Sequence, residues 1–222
     1  MNTSTIAIGI GLLVLAGLAY YLYRSITLNG DPTKTIVQNG SVSGLAETNT
    51  SVTIPKSFNQ PEGAVFTYTG WLTVSDFTIN YGTKRLVFTQ NDCPGLYIDS
   101  TSNSLMLVLN TFGATETVLI PNIPANKWIH FAIVVNQYAV DVYINGLIKQ
   151  HHTLNQLPKQ QDGTVTIGSP SVGFQGYVSD LTYFSRALTT ANIAGMQGSV
   201  PPNPAPGPSG PPYFSSSWYV GR

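Results

Sequence analysis

Ten acidic residues are spread thinly along this chain of 222, and their spacing limits the chemistry available to it. Cleaving a glycosidic bond takes two carboxyl groups, one on each side of the bond. Glu47, Glu62 and Glu116 each stand alone, and the closest acidic pair, Asp92 and Asp99, is seven positions apart. No short-spaced carboxylate pair is present, so the sequence predicts no hydrolase. His130 sits in an apolar stretch and reads as a hydrogen-bonded structural histidine. His151 and His152 are adjacent on a predicted strand, so they point to opposite faces and do not chelate one metal. Cys93 precedes Pro94 in a turn without an activating neighbour, which makes it a plain free thiol. No nucleophile-elbow pattern accompanies any serine. Twelve tyrosines could stack on sugar rings, but their strand positions, as at Tyr143 and Tyr183, favour packing.

The elements that carry these residues begin with an apolar run. Ile6 to Tyr23 contains no charge, and its eighteen residues would make about 27 Å of helix, close to a bilayer's hydrocarbon thickness. Ile6, Leu12, Leu15 and Leu18 supply apolar surface, while Tyr20, Tyr21 and Tyr23 followed by Arg24 resemble an interfacial belt. A transmembrane anchor over 1–24 is therefore expected. A cleaved signal peptide is the competing reading, with Gly17 and Ala19 as small residues, but no basic residue precedes Ile6. Arg24 and Lys34 on the C-terminal flank favour keeping the rest of the chain on the cytosolic side.

Charged residues make up only 9%, against about 25% in a typical soluble domain. Zero net charge argues against nucleic acid and against a polybasic lipid patch. A polar but uncharged surface is weakly protected against association with neighbours. A single cysteine permits no intrachain disulfide.

A spacer over 25–33 contains the turn signal Asn29-Gly30-Asp31-Pro32. From 34 to 198 short β-type runs alternate with turn residues, the spacing of a sandwich or barrel. Trp128 to Val135 is almost wholly apolar, and Asn145-Gly146 supplies the left-handed residues of a hairpin turn. Short strands are expected at Gly163–Gly168 and Phe174–Phe184. A short helix should follow, capped by Thr189 or Thr190, with Gly198 beyond its end. In the tail, 199–222, seven of the twelve residues from Pro201 to Pro212 are proline, which enforces extended polyproline II. Tyr213, Phe214, Trp218 and Tyr219 close it and are candidate anchors for a protein partner.

The 34–198 segment resembles the laminin G-like, concanavalin A-like jelly rolls. Phe66-Thr-Tyr-Thr-Gly-Trp71 looks like the family's early strand, and Trp128-Ile-His130-Phe-Ala132 like its W-x-H-x-A strand. Tyr143-Ile-Asn145-Gly146 is similar to its Y-x-N-G hairpin. Phe174-Gln-Gly176-Tyr-Val-Ser-Asp180 and Arg186-Ala187-Leu188 resemble its closing strand and helix lead-in. The resemblance implies an all-β fold, a two-sheet antiparallel jelly-roll sandwich, beside the N-terminal transmembrane helix and proline-rich tail. It also implies a possible calcium site at one rim, for which Asn91, Asp92, Asp99 and Asp180 are the candidates. Nothing in the sequence brings those four together, so solvated loops are the favoured reading and no other cofactor is expected.

The whole organisation is similar to minor structural proteins of large DNA viruses with an internal membrane. The function expected is a non-enzymatic interaction protein, linking the bilayer to capsid or coat subunits in a virion. A surface-displayed glycan-binding lectin is the alternative, located at a cell-surface membrane.

Overall fold

The computed structural model describes residues 11, 13–22, 31–57, 63–197 and 201. The chain divides into two units, Met1–Lys34 and Thr35–Arg222. In the first, residues 13–22 are helical, and Leu15 and Leu18 are exposed there. Among the described residues no helix is long and apolar enough to cross a membrane. Of the other expected anchor residues, Ile6, Leu12 and Tyr23 lie outside the described set, as do Tyr213, Phe214, Trp218 and Tyr219 of the tail.

The second unit is built from two antiparallel sheets. The strands are β1 (Lys34–Ile36), β2 (Ser41–Ser43), β3 (Thr48–Asn49), β4 (Val65–Asp76), β5 (Arg85–Thr89), β6 (Gly95–Ile98) and β7 (Leu105–Leu109). They continue as β8 (Glu116–Ile120), β9 (Ile129–Asn136), β10 (Ala139–Ile144), β11 (Leu147–Thr153), β12 (Thr166–Ile167) and β13 (Gln175–Phe184). One sheet runs β1-β13-β4-β9-β10-β11, with β2 also on β13, and the other runs β3-β12-β5-β6-β7-β8. This is the expected jelly-roll sandwich.

Alternation places the core. On β4, Phe66, Tyr68, Leu72 and Val74 point inward, and on β9 Ile129, Phe131, Ile133 and Val135 do the same. Aromatic rings fill the interior: Tyr68 lies 5.3 Å from Phe88 and 5.1 Å from Tyr183, and Phe88 stacks on Phe131 at 6.0 Å. The buried Tyr68 hydroxyl donates to Oε1 of Gln90, so no polar atom is stranded there.

β9 is buried on both faces, as its apolar run predicts. Its outward residues Ala132 and Val134 pack with Tyr143, Phe184, Leu188 and Ile193. Ile193 belongs to a helix, Thr190–Met196, whose N-cap Thr189 forms a capping box with Asn192. Seven residues are too few for a stable isolated helix, so docking on the sheet holds it. Asn145 and Gly146 carry φ of 49° and 76°, the left-handed pair that the hairpin between β10 and β11 requires. The late strand expected over Gly163–Gly168 contracts to Thr166–Ile167. At Gly168 φ is +66°, and an added Cβ would fall on the carbonyl oxygen of Ala46, so the chain must turn there.

Candidate binding site

The four residues named for calcium are distributed over both sheets. Asn91 and Asp92 form the turn between β5 and β6, both with φ of 53°. The Asp92 carboxylate accepts from the Tyr97 hydroxyl and from Thr89 Oγ1 at 3.3 Å. Asp99 lies past the other end of β6, where its carboxylate accepts from Ser102 Oγ at 2.7 Å and from the Ser102 amide at 3.0 Å. The Ser102 hydroxyl is the main reason its pKa falls below the ordinary carboxylate value. Asp180 belongs to the other sheet, at a bulge in β13, and holds the Gly40 amide at 3.0 Å. Each carboxylate organises its own loop, and among the described residues no group of three His, Cys, Asp or Glu side chains gathers in metal-holding geometry.

Near Asp99 the protein supplies its own cation. Arg85, the first residue of β5, is fully buried, and its guanidinium donates to the backbone carbonyls of Phe77, Ile79 and Asp99. It thereby ties the β4–β5 loop to the end of β6. Sequence reasoning missed this residue. The available signal was an arginine followed directly by the apolar Leu86-Val87-Phe88.

The histidines fall into two kinds. His130 is buried and structural, edge-on to Trp71 with ring centroids 5.2 Å apart. Burial pulls its pKa down to about 4, and among the described residues Nδ1 has no hydrogen-bond partner, so the expected side-chain hydrogen bond is not found at that atom. Instead its backbone amide donates to Asn145 Oδ1 at 2.9 Å. His151 and His152 do point to opposite faces. His151 Nδ1 lies 2.6 Å from Asp141 and His152 Nε2 lies 3.0 Å from Glu116. Cys93 is buried and its thiol is pushed up to about 12, chiefly by desolvation, which leaves almost no thiolate at neutral pH.

At one end of the sandwich the loops enclose a groove of about 240 Å³, lined by Lys56, Gly63, Ala64, Phe112, Leu157, Pro158 and Gln160. Phe112 is positioned by its amide, which donates to the Leu157 carbonyl at 3.0 Å, and its side chain is left 72% exposed. Gln160 is fixed in the wall, accepting from the Ser57 amide at 2.9 Å and donating to the Tyr183 hydroxyl at 3.2 Å. Among the described residues the lining offers one ammonium, from Lys56, beside apolar side chains that suit contact with a ligand. None of these lining residues stood out in the sequence, because Leu157 and Phe112 meet only through folding.

Residues 46–194 match the profile described as the concanavalin A-like lectin/glucanases superfamily. The chain belongs to that superfamily. No curated protein matches it. Among solved structures, this superfamily member is similar to the receptor binding domain of botulinum neurotoxin D, at 17% identity and TM-score 0.55. That likeness covers 73% of this chain and 42% of the other. The receptor binding domain of the botulinum neurotoxin C/D mosaic serotype matches at 14% identity and TM-score 0.56, over 74% and 50% of the two chains. The binding domain of Paraclostridial Mosquitocidal Protein 1 matches at 17% identity and TM-score 0.51, over 76% and 48%. This chain therefore spans half or less of each of those chains, and at such identity the shared property is the fold.

Proposed function

We propose that this protein is a non-enzymatic binding module, tethered to a membrane by its N-terminal apolar run and linking an internal membrane to a protein shell. The observation that carries the reading is the run itself. In its described part Leu13, Leu15 and Leu18 are 75%, 64% and 53% exposed, an uncharged surface that water does not favour. The jelly roll supports the binding half of the proposal, because the neighbouring solved structures include receptor binding domains of botulinum neurotoxins and the binding domain of a mosquitocidal protein. A surface with few charges supports packing against protein subunits.

The test is purification of the full chain from its native membrane, followed by alkaline extraction and photo-crosslinking from Tyr213 and Tyr219. Retention in the bilayer and crosslinks to coat or capsid subunits are expected. Release by alkali, or the absence of any protein neighbour, would sink the proposal.

Glycan binding is the second reading, and the exposed ring of Phe112 beside its groove favours it. Calcium dependence at Asn91, Asp92, Asp99 or Asp180 belongs to the same reading. A glycan array probed with the full chain, with and without chelator, tests both parts. Binding that survives in Phe112→Ala removes the groove from consideration.

A further inference from the structure

The sandwich has two ends, and its chain enters at the one that carries the groove. The Val37 amide donates to the Leu181 carbonyl at 2.9 Å, and β2 pairs in register with Tyr177 to Ser179. Followed backward from Val37, β1 therefore runs toward Phe184, the last residue of β13. Phe184 is level with Thr67 near the start of β4, and Val65, at that start, faces Asn136 at the end of β9. The groove residues Gly63 and Ala64 directly precede Val65. β4 has twelve residues, so the loops at its far end lie about 35 Å from this one.

Two aromatic rings stand out at the entry end. Phe112, between β7 and β8, is 72% exposed, and Tyr138, in the turn between β9 and β10, is 44% exposed. They flank the same piece of backbone. Leu157, whose carbonyl holds the Phe112 amide, would touch a Cβ at Gly63, and the Ala64 carbonyl accepts from the Gln137 amide at 2.9 Å. Lys56 and Lys159 are exposed here too, and among the described residues neither ammonium pairs with a carboxylate. The described carboxylates of this end are engaged by the protein itself. Asp162 accepts from the Lys56 amide, Asp92 from the Tyr97 hydroxyl and Glu116 from the Asn155 amide.

We propose that this end of the sandwich, with Phe112 and Tyr138 foremost, rests in the headgroup layer of a lipid bilayer. The proposal builds on the membrane tether put forward above and adds which face of the jelly roll the bilayer meets. Aromatic rings gain from that layer, where an apolar face leaves water while the tyrosine hydroxyl stays wet. Lysine ammoniums without a carboxylate partner reach lipid phosphates on long apolar stems. A spacer of nine residues, 25–33, spans at most about 30 Å, so the entry end is the one it holds within reach of the bilayer.

The experiment uses the full chain reconstituted with vesicles of phosphatidylcholine and phosphatidylglycerol. A fluorophore is attached beside Phe112 through Ala114→Cys, or at the far end through Thr101→Cys, while the buried Cys93 stays unlabelled. Quenching by a lipid with a nitroxide on its headgroup is measured, and the same vesicles are then extracted with alkali. Severalfold stronger quenching at position 114 than at 101 is expected. Phe112→Ser combined with Tyr138→Ser should cut the quenching at 114 severalfold, with an unchanged far-UV circular dichroism spectrum. Equal quenching at the two positions, or no loss in the double variant, overturns the proposal. So does a label at 114 that is shielded from aqueous iodide yet unquenched by lipid, because a glycan or a second copy then covers this end. Retention after alkali alongside any of these results rejects the contact and leaves the tether standing. Release by alkali rejects the tether, and the ratio of 114 to 101 before extraction still decides the contact. If the double variant fails to fold, that same ratio decides.

Discussion

Nε2 of His152 lies 3.0 Å from Oε2 of Glu116, joining the last strand of one sheet, β11, to the last strand of the other, β8. Glu116 also accepts from the Asn155 amide at 2.8 Å, so one carboxylate fixes the edge of the sandwich where the chain leaves β11. Burial by itself raises the Glu116 pKa. The His152 hydrogen bond and charge and the Asn155 amide more than offset it, and the net shift is downward. A carboxyl depressed in the fold contributes stability that is complete above its unfolded pKa, about 4.3, and is lost as pH falls through the lower folded value. Glu116→Gln should therefore weaken the protein at neutral pH and flatten its acid transition below about pH 4. Urea unfolding at several pH values measures this, and parallel curves for both proteins would contradict it.

His130 adds to the same acid sensitivity over a different window. Its folded pKa of about 4 lies below the unfolded value of about 6.5, because the buried ring resists charge. Its full contribution is present above about pH 6.5 and declines down to about pH 4, a loss on the order of 3 kcal/mol. His130→Phe should remove much of that dependence between pH 7 and 4. An NMR titration placing the His130 ring near 6.5 would refute the account.

Arg85 serves two loops at once, and its replacement should be costly. Arg85→Ala leaves the carbonyls of Phe77 and Asp99 without this donor and opens a void where the buried side chain stood, at about 3 kcal/mol. Arg85→Lys cannot reproduce the planar fork and should recover only part of that loss. Thermal melting of the three proteins should rank them wild type, Lys, Ala. A melting temperature unchanged in Arg85→Ala would show that the guanidinium holds nothing together.

Cys93 should resist modification in the native protein. With its thiol pushed to about 12 and its side chain buried, a disulfide reagent at pH 8 should react only at the rate of unfolding. Rapid stoichiometric labelling without denaturant is the opposing outcome.

Glycine is required at position 168. Gly168→Ala places a methyl against the carbonyl oxygens of Ala46 and Ser43 in a left-handed conformation, which costs more than the usual 1 kcal/mol. Unfolding in urea should show a clear loss of midpoint concentration. An unaltered midpoint would mean that the β2–β3 turn moves aside freely.

Local pattern carried much of this architecture. The apolar run of β9, the Asn145-Gly146 turn and the Thr189 cap all follow from short-range rules, and the structure has each where the residues predict it. The superfamily was legible for the same reason, since its motifs are stretches of strand and turn in a fixed order. Two short late residues, Thr166 and Ile167, made less strand than the pattern implied, because the positive φ at Gly168 ends the run.

What the sequence determined by itself was periodicity: which residues face inward, where the chain turns, and that a long uncharged apolar run precedes the sheets. What only the tertiary structure decided was company. Asp92 and Asp99 are seven positions apart, and in the fold a strand separates them and each is spent on its own loop. Arg85 is a charged residue, yet three carbonyls from two separate loops make its burial tolerable. Phe112 and Leu157 are 45 positions apart and line one groove. Such pairings depend on which strands lie side by side, and no local propensity encodes that order.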